Sequence, residues 1–255
     1  MRSRILLLLL VWTFPLFSQD SVDVTFRYTP PQGVGTPYVP GEFNGWVSTA
    51  WPMNYAGGPW FRTARLRIGG QIGGGVAGAY QYKFFYNGAS PWPNDPLNHH
   101  VNVSDNDNSF IYIKDPTIYQ FLPNQRSPLV TTATPTISAY MFPRVGTNVD
   151  TGSIMLTIDG LPHDGLGTYY NPSTKQLVYT PTSPLPNGGH TVILTAGLNA
   201  DTVSFITQAG FVQITTQGGY PTLNPQRPIR GIVQDTSVHT IRIVRNNTDT
   251  IVTPA

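Results

Sequence analysis

Tyr80-Gln81-Tyr82-Lys83-Phe84-Phe85-Tyr86-Asn87-Gly88-Ala89-Ser90-Pro91-Trp92-Pro93-Asn94-Asp95-Pro96 reads as a strand, a turn and a loop carrying an exposed tryptophan. Tyr80, Tyr82, Phe84 and Tyr86 alternate with Gln81, Lys83 and Phe85. That is the two-residue period of a β-strand, not the 3.6-residue period of a helix. Side chains alternate across a sheet, so a core built on the tyrosine face leaves Lys83 on the opposite face. Asn87-Gly88 is a turn dipeptide, because both residues tolerate positive φ. Trp92 then sits between Pro91 and Pro93, where a strand does not continue. One lysine and one indole therefore stand near each other outside the core. The pair suits a neutral, hydroxyl-rich ligand with flat apolar faces; it equally suits a tryptophan that packs its loop onto the domain. This stretch alone leaves both readings open.

The same strand-and-turn pattern extends through the chain. Its 255 residues are enough for two β domains of ordinary size. With 25 glycines and 24 prolines, and short Val/Ile/Thr/Tyr/Phe runs between them, the composition argues all-β rather than helical. The N-terminus differs. Arg2 and Arg4 precede an apolar run from Ile5 to Val11, with Ser18-Gln19-Asp20 beyond it. This predicts a secretory signal over residues 1–19, hence a secreted, extracellular or periplasmic protein, with no membrane attachment once the signal is removed. There is no cysteine, which excludes a lipid-anchored lipoprotein and any disulfide framework. Without Arg2 and Arg4 the 15 basic residues become 13, matching the 13 acidic ones, so charge gives no reason to expect nucleic-acid binding.

Working outward, the first module spans residues 20–115. Val22, Val24, Phe26 and Tyr28 mark its first strand, Tyr38 to Phe43 a second, Trp60 to Ile68 a third, and Phe110 to Ile113 the last. Gly69 to Gly78 holds six glycines and reads as a mobile loop. The second module spans residues 116–208, with Thr117 to Leu122 as a short strand at its start. Further strands are expected at Thr136 to Phe142, Ser153 to Ile158, Gly167 to Asn171, Gln176 to Thr180, Gly189 to Ala196 and Thr202 to Thr207. Turn signals recurring every eight to twelve residues or so give the rhythm of an immunoglobulin-like sandwich. Residues 209–255 offer three strands, too few to close a third one. The predicted fold is all-β: tandem β-sandwiches of immunoglobulin-like, early-set type, with an incomplete third.

Few residues carry catalytic promise. Hydrolysis of a glycosidic bond normally needs two placed carboxyl groups. The chain has one glutamate, Glu42, and aspartates dispersed in turns, among them Asp95, Asp105, Asp107, Asp159 and Asp164. The histidines are His99, His100, His163, His190 and His239. Neighbours on a strand point to opposite faces, and no acidic or histidine partner lies at ligand spacing from His99-His100, so neither a metal nor another cofactor is expected. Asp105 to Ser109 resembles a calcium loop only in composition. No nucleophile motif or phosphate loop is present, and the expected set of catalytic residues is empty.

Four residues remain: Trp46 after a turn, Lys83 facing away from the core, Trp92 in its proline-bounded loop, and Asn108 before the last strand. Their setting is Gly41-Glu42-Phe43-Asn44-Gly45-Trp46, then Tyr80 to Phe85 with a turn and Trp92-x-x-Asp95-Pro96, then Asn108 to Ile113. On these motifs, over Asp23 to Lys114, the sequence resembles carbohydrate-binding module family 48, which includes the glycogen-binding domain of the AMP-activated protein kinase β subunit. In that family two tryptophans, a lysine and an asparagine touch the glucan. The resemblance therefore implies that Trp46, Lys83, Trp92 and Asn108 bind an α-1,4-glucan such as glycogen, starch or maltooligosaccharides. The glycine-rich loop is longer than the family's turn, and Leu97 to Val103 has no match to the family's ligand-lining hairpin. The remainder looks like the immunoglobulin-like spacers of secreted bacterial glycosidases. The expected whole is the non-catalytic N-terminal part of an extracellular enzyme of glycoside hydrolase family 13, the α-amylase family. Its catalytic barrel, of about 250 residues, has no room here. The rival from another class is a non-enzymatic surface or adhesion protein built of sandwich modules.

Overall fold

The computed structural model describes residues 20–163 and 165–209 in full, and the backbone of 212–214, 231–233, 241–245 and 248–252. The predicted signal over residues 1–19 lies outside the described residues.

The first module opens with β1 (Ser21–Tyr28), whose even-numbered residues are all buried and whose odd-numbered ones are not. It pairs antiparallel with β2 (Trp60–Arg67). Cross-strand neighbours on the outer face match: Asp23 accepts two hydrogen bonds from Arg65, both at 2.9 Å, and the Thr25 and Thr63 hydroxyls meet at 2.9 Å. A second sheet contains β3 (Ala79–Tyr82), β4 (Val101–Asn102) and β5 (Asn108–Tyr112) in the order β3-β5-β4. Regular pairing of β3 ends at Tyr82, four residues before the predicted end. Within β3 both faces are covered, Gln81 being buried as well as Tyr80 and Tyr82, and the alternation shows only beyond it, where Phe84 is buried and Lys83 and Phe85 less so. Pro40 O, Pro93 O and Tyr38 O accept from the Lys83, Phe84 and Phe85 amides in turn, so loops replace a sheet partner.

Two loops depart from expectation. Tyr38 to Phe43 is not a strand. Tyr38 makes isolated bridges to Pro52 and Phe85, Gly41 makes one to Tyr82, and a 3-10 turn over Glu42–Asn44 follows. Gly69 to Gly78 is not a free loop either. Glu42 accepts from the Gly75 amide at 2.8 Å, the Gln81 amide at 2.8 Å and Gln81 Nε2 at 3.2 Å, stitching the loop to the turn and to β3. Gly70 has φ +74°, and a Cβ there would run into the Ala79 backbone. Gly70→Ala should therefore cost about 2 kcal/mol or more, combining left-handed strain with steric conflict. Gly73, at φ +71° with nothing near its Cβ direction, should cost about 1 kcal/mol as alanine. Equal midpoints for the two variants in urea would refute this ordering.

The second module is a sandwich of two sheets. The strands are β6 (Thr117–Leu122), β7 (Leu129–Val130), β8 (Ile137–Phe142), β9 (Met155–Ile158), β10 (Leu161–His163), β11 (Tyr170–Asn171), β12 (Gln176–Tyr179), β13 (Gly188–Ala196) and β14 (Asn199–Thr207). One sheet runs β10-β9-β13-β14-β7, the other β11-β12-β8-β6. Their inner faces supply Leu156, Val192, Leu194, Val203 and Phe205 against Ile137, Ala139, Met141 and Leu177. Asp159-Gly160, at φ 52° and 80°, makes the tight β9–β10 turn. Buried His190 bonds Asp159 at 2.7 Å and the Thr207 hydroxyl at 2.9 Å, a structural use of the ring.

β6 belongs to both modules. It hydrogen-bonds to β8, yet every residue from Thr117 to Phe121 is buried. Ile118 and Phe121 enter the second core, while Tyr119 enters the first beside Phe26 and Tyr82. In regular pleat Tyr119 and Phe121 would share a face. A register shift between Tyr119 and Leu122, with Gln120 at φ 48°, breaks that rule and lets one strand serve two cores. The all-β tandem-sandwich expectation therefore stands, without a free linker between the two units.

Beyond residue 209, β15 (Val212–Ile214) pairs with β16 (Gly231–Val233), and β17 (Ile241–Arg245) pairs with β18 (Thr248–Val252). Four strands in two ribbons thus replace the three expected. The rest of the third segment lies outside the described residues.

Candidate functional site

Trp46 is delivered to the surface by the turn before it. Gly41 passes so close to β3 that a Cβ would sit 2.7 Å from the Gln81 carbonyl oxygen, which explains a glycine there. Phe43 points inward and stacks on Trp51, with centroids 4.7 Å apart and planes at 4°. Asn44 holds the turn shut, accepting from the Gly41 amide at 2.9 Å and donating to the Val39 carbonyl at 3.0 Å. Gly45 at φ 65° and Trp46 at φ 61° then reverse the chain, and the Trp46 amide donates to the Gly41 carbonyl at 2.9 Å. A left-handed tryptophan costs about 1–2 kcal/mol. The turn holds that strain while presenting the indole half-exposed.

Trp92 is positioned by its own loop. The Pro93 carbonyl accepts from the Phe84 amide at 2.8 Å, and Phe85 packs against the indole at 5.4 Å. Asp95, three residues on, anchors the loop from below. Sequence places it in a turn, and its Oδ1 does accept from the Leu97 amide at 2.9 Å. It is also fully buried. Its carboxyl accepts from the Tyr82 hydroxyl at 2.8 Å, the Tyr119 hydroxyl at 2.6 Å and Gln120 Nε2 at 3.1 Å. Burial pushes the Asp95 carboxyl up, against the pull of these donors. Burial likewise keeps the Tyr82 and Tyr119 hydroxyls well above the usual phenol range, so both stay protonated and able to donate.

The four sequence-derived residues meet at one place. Trp46, Lys83, Trp92 and Asn108 line a single open cleft of about 460 Å³, together with Pro91, Asp105 and Asn106. Lys83 Nζ donates to the Asn106 carbonyl at 2.6 Å, which leaves two of its three N–H groups for the cleft. Asn108 is buried at 6 % exposure, and among the described residues its side-chain amide has no hydrogen-bond partner. Asp105, which lines one wall, is tied to Gln81 Nε2 at 3.0 Å. Sequence reasoning missed Pro91, Asp105 and Asn106. The left-handed pair Asn106 and Asp107, at φ 52° and 54°, folds the β4–β5 hairpin back over the cleft, and short polar residues are the sequence signal for such a turn.

No family model matches the chain, and no curated protein matches it. Among solved structures it is similar to the central fibronectin-III array of RIM-binding protein, at 10 % identity and a TM-score of 0.22, over 77 % of this chain and 69 % of that one.

A second cluster corrects the reading of the histidines. His99 and His100 lie just before β4, not on a strand, so their rings do not diverge. The centroids are 3.9 Å apart. Asp201, on β14 of the second module, brings Oδ1 to 3.1 Å from His99 Nε2 and 3.3 Å from His100 Nε2. Burial disfavours the Asp201 charge, but hydrogen bonds from His100 and His99 outweigh it and hold the carboxyl well below the usual range. Spacing along the sequence could not reveal this acidic partner, which lies 102 residues from His99.

Proposed function

We propose that the first module binds α-1,4-glucan chains at the cleft between Trp46 and Trp92, and that it does so without hydrolysing them. The observation that carries this reading is the convergence of Trp46, Lys83, Trp92 and Asn108 on one cleft from four separate segments of the chain. Half-exposed indoles offer flat apolar faces to glucose rings, while the spare N–H groups of Lys83 and the Asn108 amide suit hydroxyls. An open cleft with two aromatics fits the curve of an α-glucan better than a deep pocket does. Glu42 is committed to the Gly75 and Gln81 donors, and Asp105 is the one carboxylate lining the cleft among the described residues. Paired-carboxylate chemistry therefore finds no support.

Together with the N-terminal arginine–leucine pattern, the reading extends to a secreted, non-catalytic portion of an α-glucan-degrading protein. Affinity should be modest, in a range of about 1 mM to 1 μM. The test is electrophoresis of residues 20–255 through gels containing glycogen, soluble starch, dextran or no polysaccharide. Retardation should occur with glycogen and starch only. It should change little between about 50 mM and 200 mM salt, because the ligand is neutral. Equal mobility in all four gels would eliminate the glucan site. A fragment ending at residue 115 is unsuitable, since it lacks the Tyr119 and Gln120 that hold Asp95.

A further inference from the structure

We propose that His99, His100 and Asp201 form a binding site for one divalent transition-metal ion, with zinc the fitting case, at the junction of the two modules. Two imidazoles and one carboxylate, with a position left for water, are the donor set that suits zinc. The three donor atoms lie within 4.8 Å of one another. Bonds of about 2.0–2.1 Å in a tetrahedron set neighbouring donor atoms roughly 3.3 Å apart. The two Nε2–Oδ1 separations, 3.1 and 3.3 Å, are already those of tetrahedral edges. An ion bridging Oδ1 to each ring nitrogen therefore finds two of the three edges of its ligand triangle in place.

The hydrogen bonding around Asp201 points the same way. Its Oδ1 bonds His99 Nε2 and accepts from the Thr202 amide at 2.8 Å, and His100 Nε2 lies within 3.3 Å of the same oxygen. Among the described residues Oδ2 takes none. A cation seated between the two imidazoles and Oδ1 leaves the Thr202 amide to orient the carboxylate. The side chains are held by the fold: His99 is 7 % exposed, Asp201 11 % and His100 23 %. Asn98 fixes the segment, accepting from the His100 amide at 3.0 Å and donating to the Tyr82 hydroxyl and the Phe110 carbonyl. A cavity of about 400 Å³ adjoins all three residues and gives access to water.

Two features limit the affinity. Lys114 lines the same cavity and repels a cation. His99 Nδ1 is buried without a partner, so ligation through Nε2 leaves its N–H unpaired. The site should bind more weakly than a closed four-ligand zinc site.

The test uses the full chain after chelator treatment and gel filtration, titrated calorimetrically with zinc chloride, with magnesium as control. Cobalt(II) serves as the spectroscopic probe. One equivalent of zinc should bind, raise the unfolding temperature and compete with cobalt, whose bound form should show the intense visible bands of tetrahedral coordination. His100→Gln and Asp201→Asn should each weaken zinc binding at least about tenfold. Absence of zinc binding at millimolar concentration, or an unchanged single equivalent in folded His100→Gln, would overturn the proposal. If the variants do not fold, the wild-type cobalt spectrum decides, because the pale spectrum of hexa-aqua cobalt also refutes it.

Discussion

Replacing Asp95 with alanine should destabilise the protein by about 4 kcal/mol, because it leaves several buried donors without an acceptor. The Tyr82 and Tyr119 hydroxyls, Gln120 Nε2 and the Leu97 amide all converge on this one carboxyl, at zero exposure. The tyrosines cannot ionise to relieve the misfit. At roughly 2–4 °C per kcal/mol the thermal midpoint should fall by about 10 °C. Asp95→Asn should cost about half as much, since its amide oxygen still accepts and the hydroxyls can turn to accept from its NH₂. Both variants should also weaken glycogen retardation, because Asp95 anchors the loop that presents Trp92. Midpoints within 2 °C of wild type for Asp95→Ala, an interval well under the about 10 °C expected, would show that the network contributes nothing.

The second large effect is on binding. Trp46→Ala and Trp92→Ala should each cost about 2 kcal/mol, some 30-fold, and the double variant about a thousandfold, enough to abolish retardation. Lys83→Ala should do less, because Asn106 already takes one of its donors. Trp46 allows a sharper experiment. Its backbone sits at φ 61°, so Trp46→Gly should raise stability by up to about 1 kcal/mol while glucan binding falls. A purely structural tryptophan would lose stability together with binding. If Trp46→Gly lowers the midpoint, the indole serves packing rather than recognition.

Much of this was legible locally. The alternation of Val22 to Tyr28 placed β1, and the alternation of Tyr80 to Tyr86 set Lys83 against the tyrosines even where sheet pairing stops. The turn before Trp46 was readable because Asn44 and Gly45 each answer a local backbone demand, whereas Gly41 answers the approach of β3. What escaped depended on distant chain. Nothing within Thr117 to Leu122 says that Tyr119 and Phe121 enter different cores, because a register shift against β8 decides it. Asp95 looked like a turn residue, and is one, but its burial comes from a strand more than twenty residues later. His99 and His100 seemed to lack an acid because Asp201 reaches them only after the second sandwich has folded.

The shared strand also bears on how such a protein can be inherited. A genetic exchange that carried residues 20–115 elsewhere would leave Asp95 without Tyr119 and Gln120, and would strip Tyr119 and Phe142 of the core that buries them and Asp201 of its histidine partners. Shuffling at that point is therefore penalised on both sides: the first half depends on the first strand of its neighbour, and that neighbour on the first half's core. The transferable unit ends after β6 at the earliest, and descendants of this architecture should carry the two halves together.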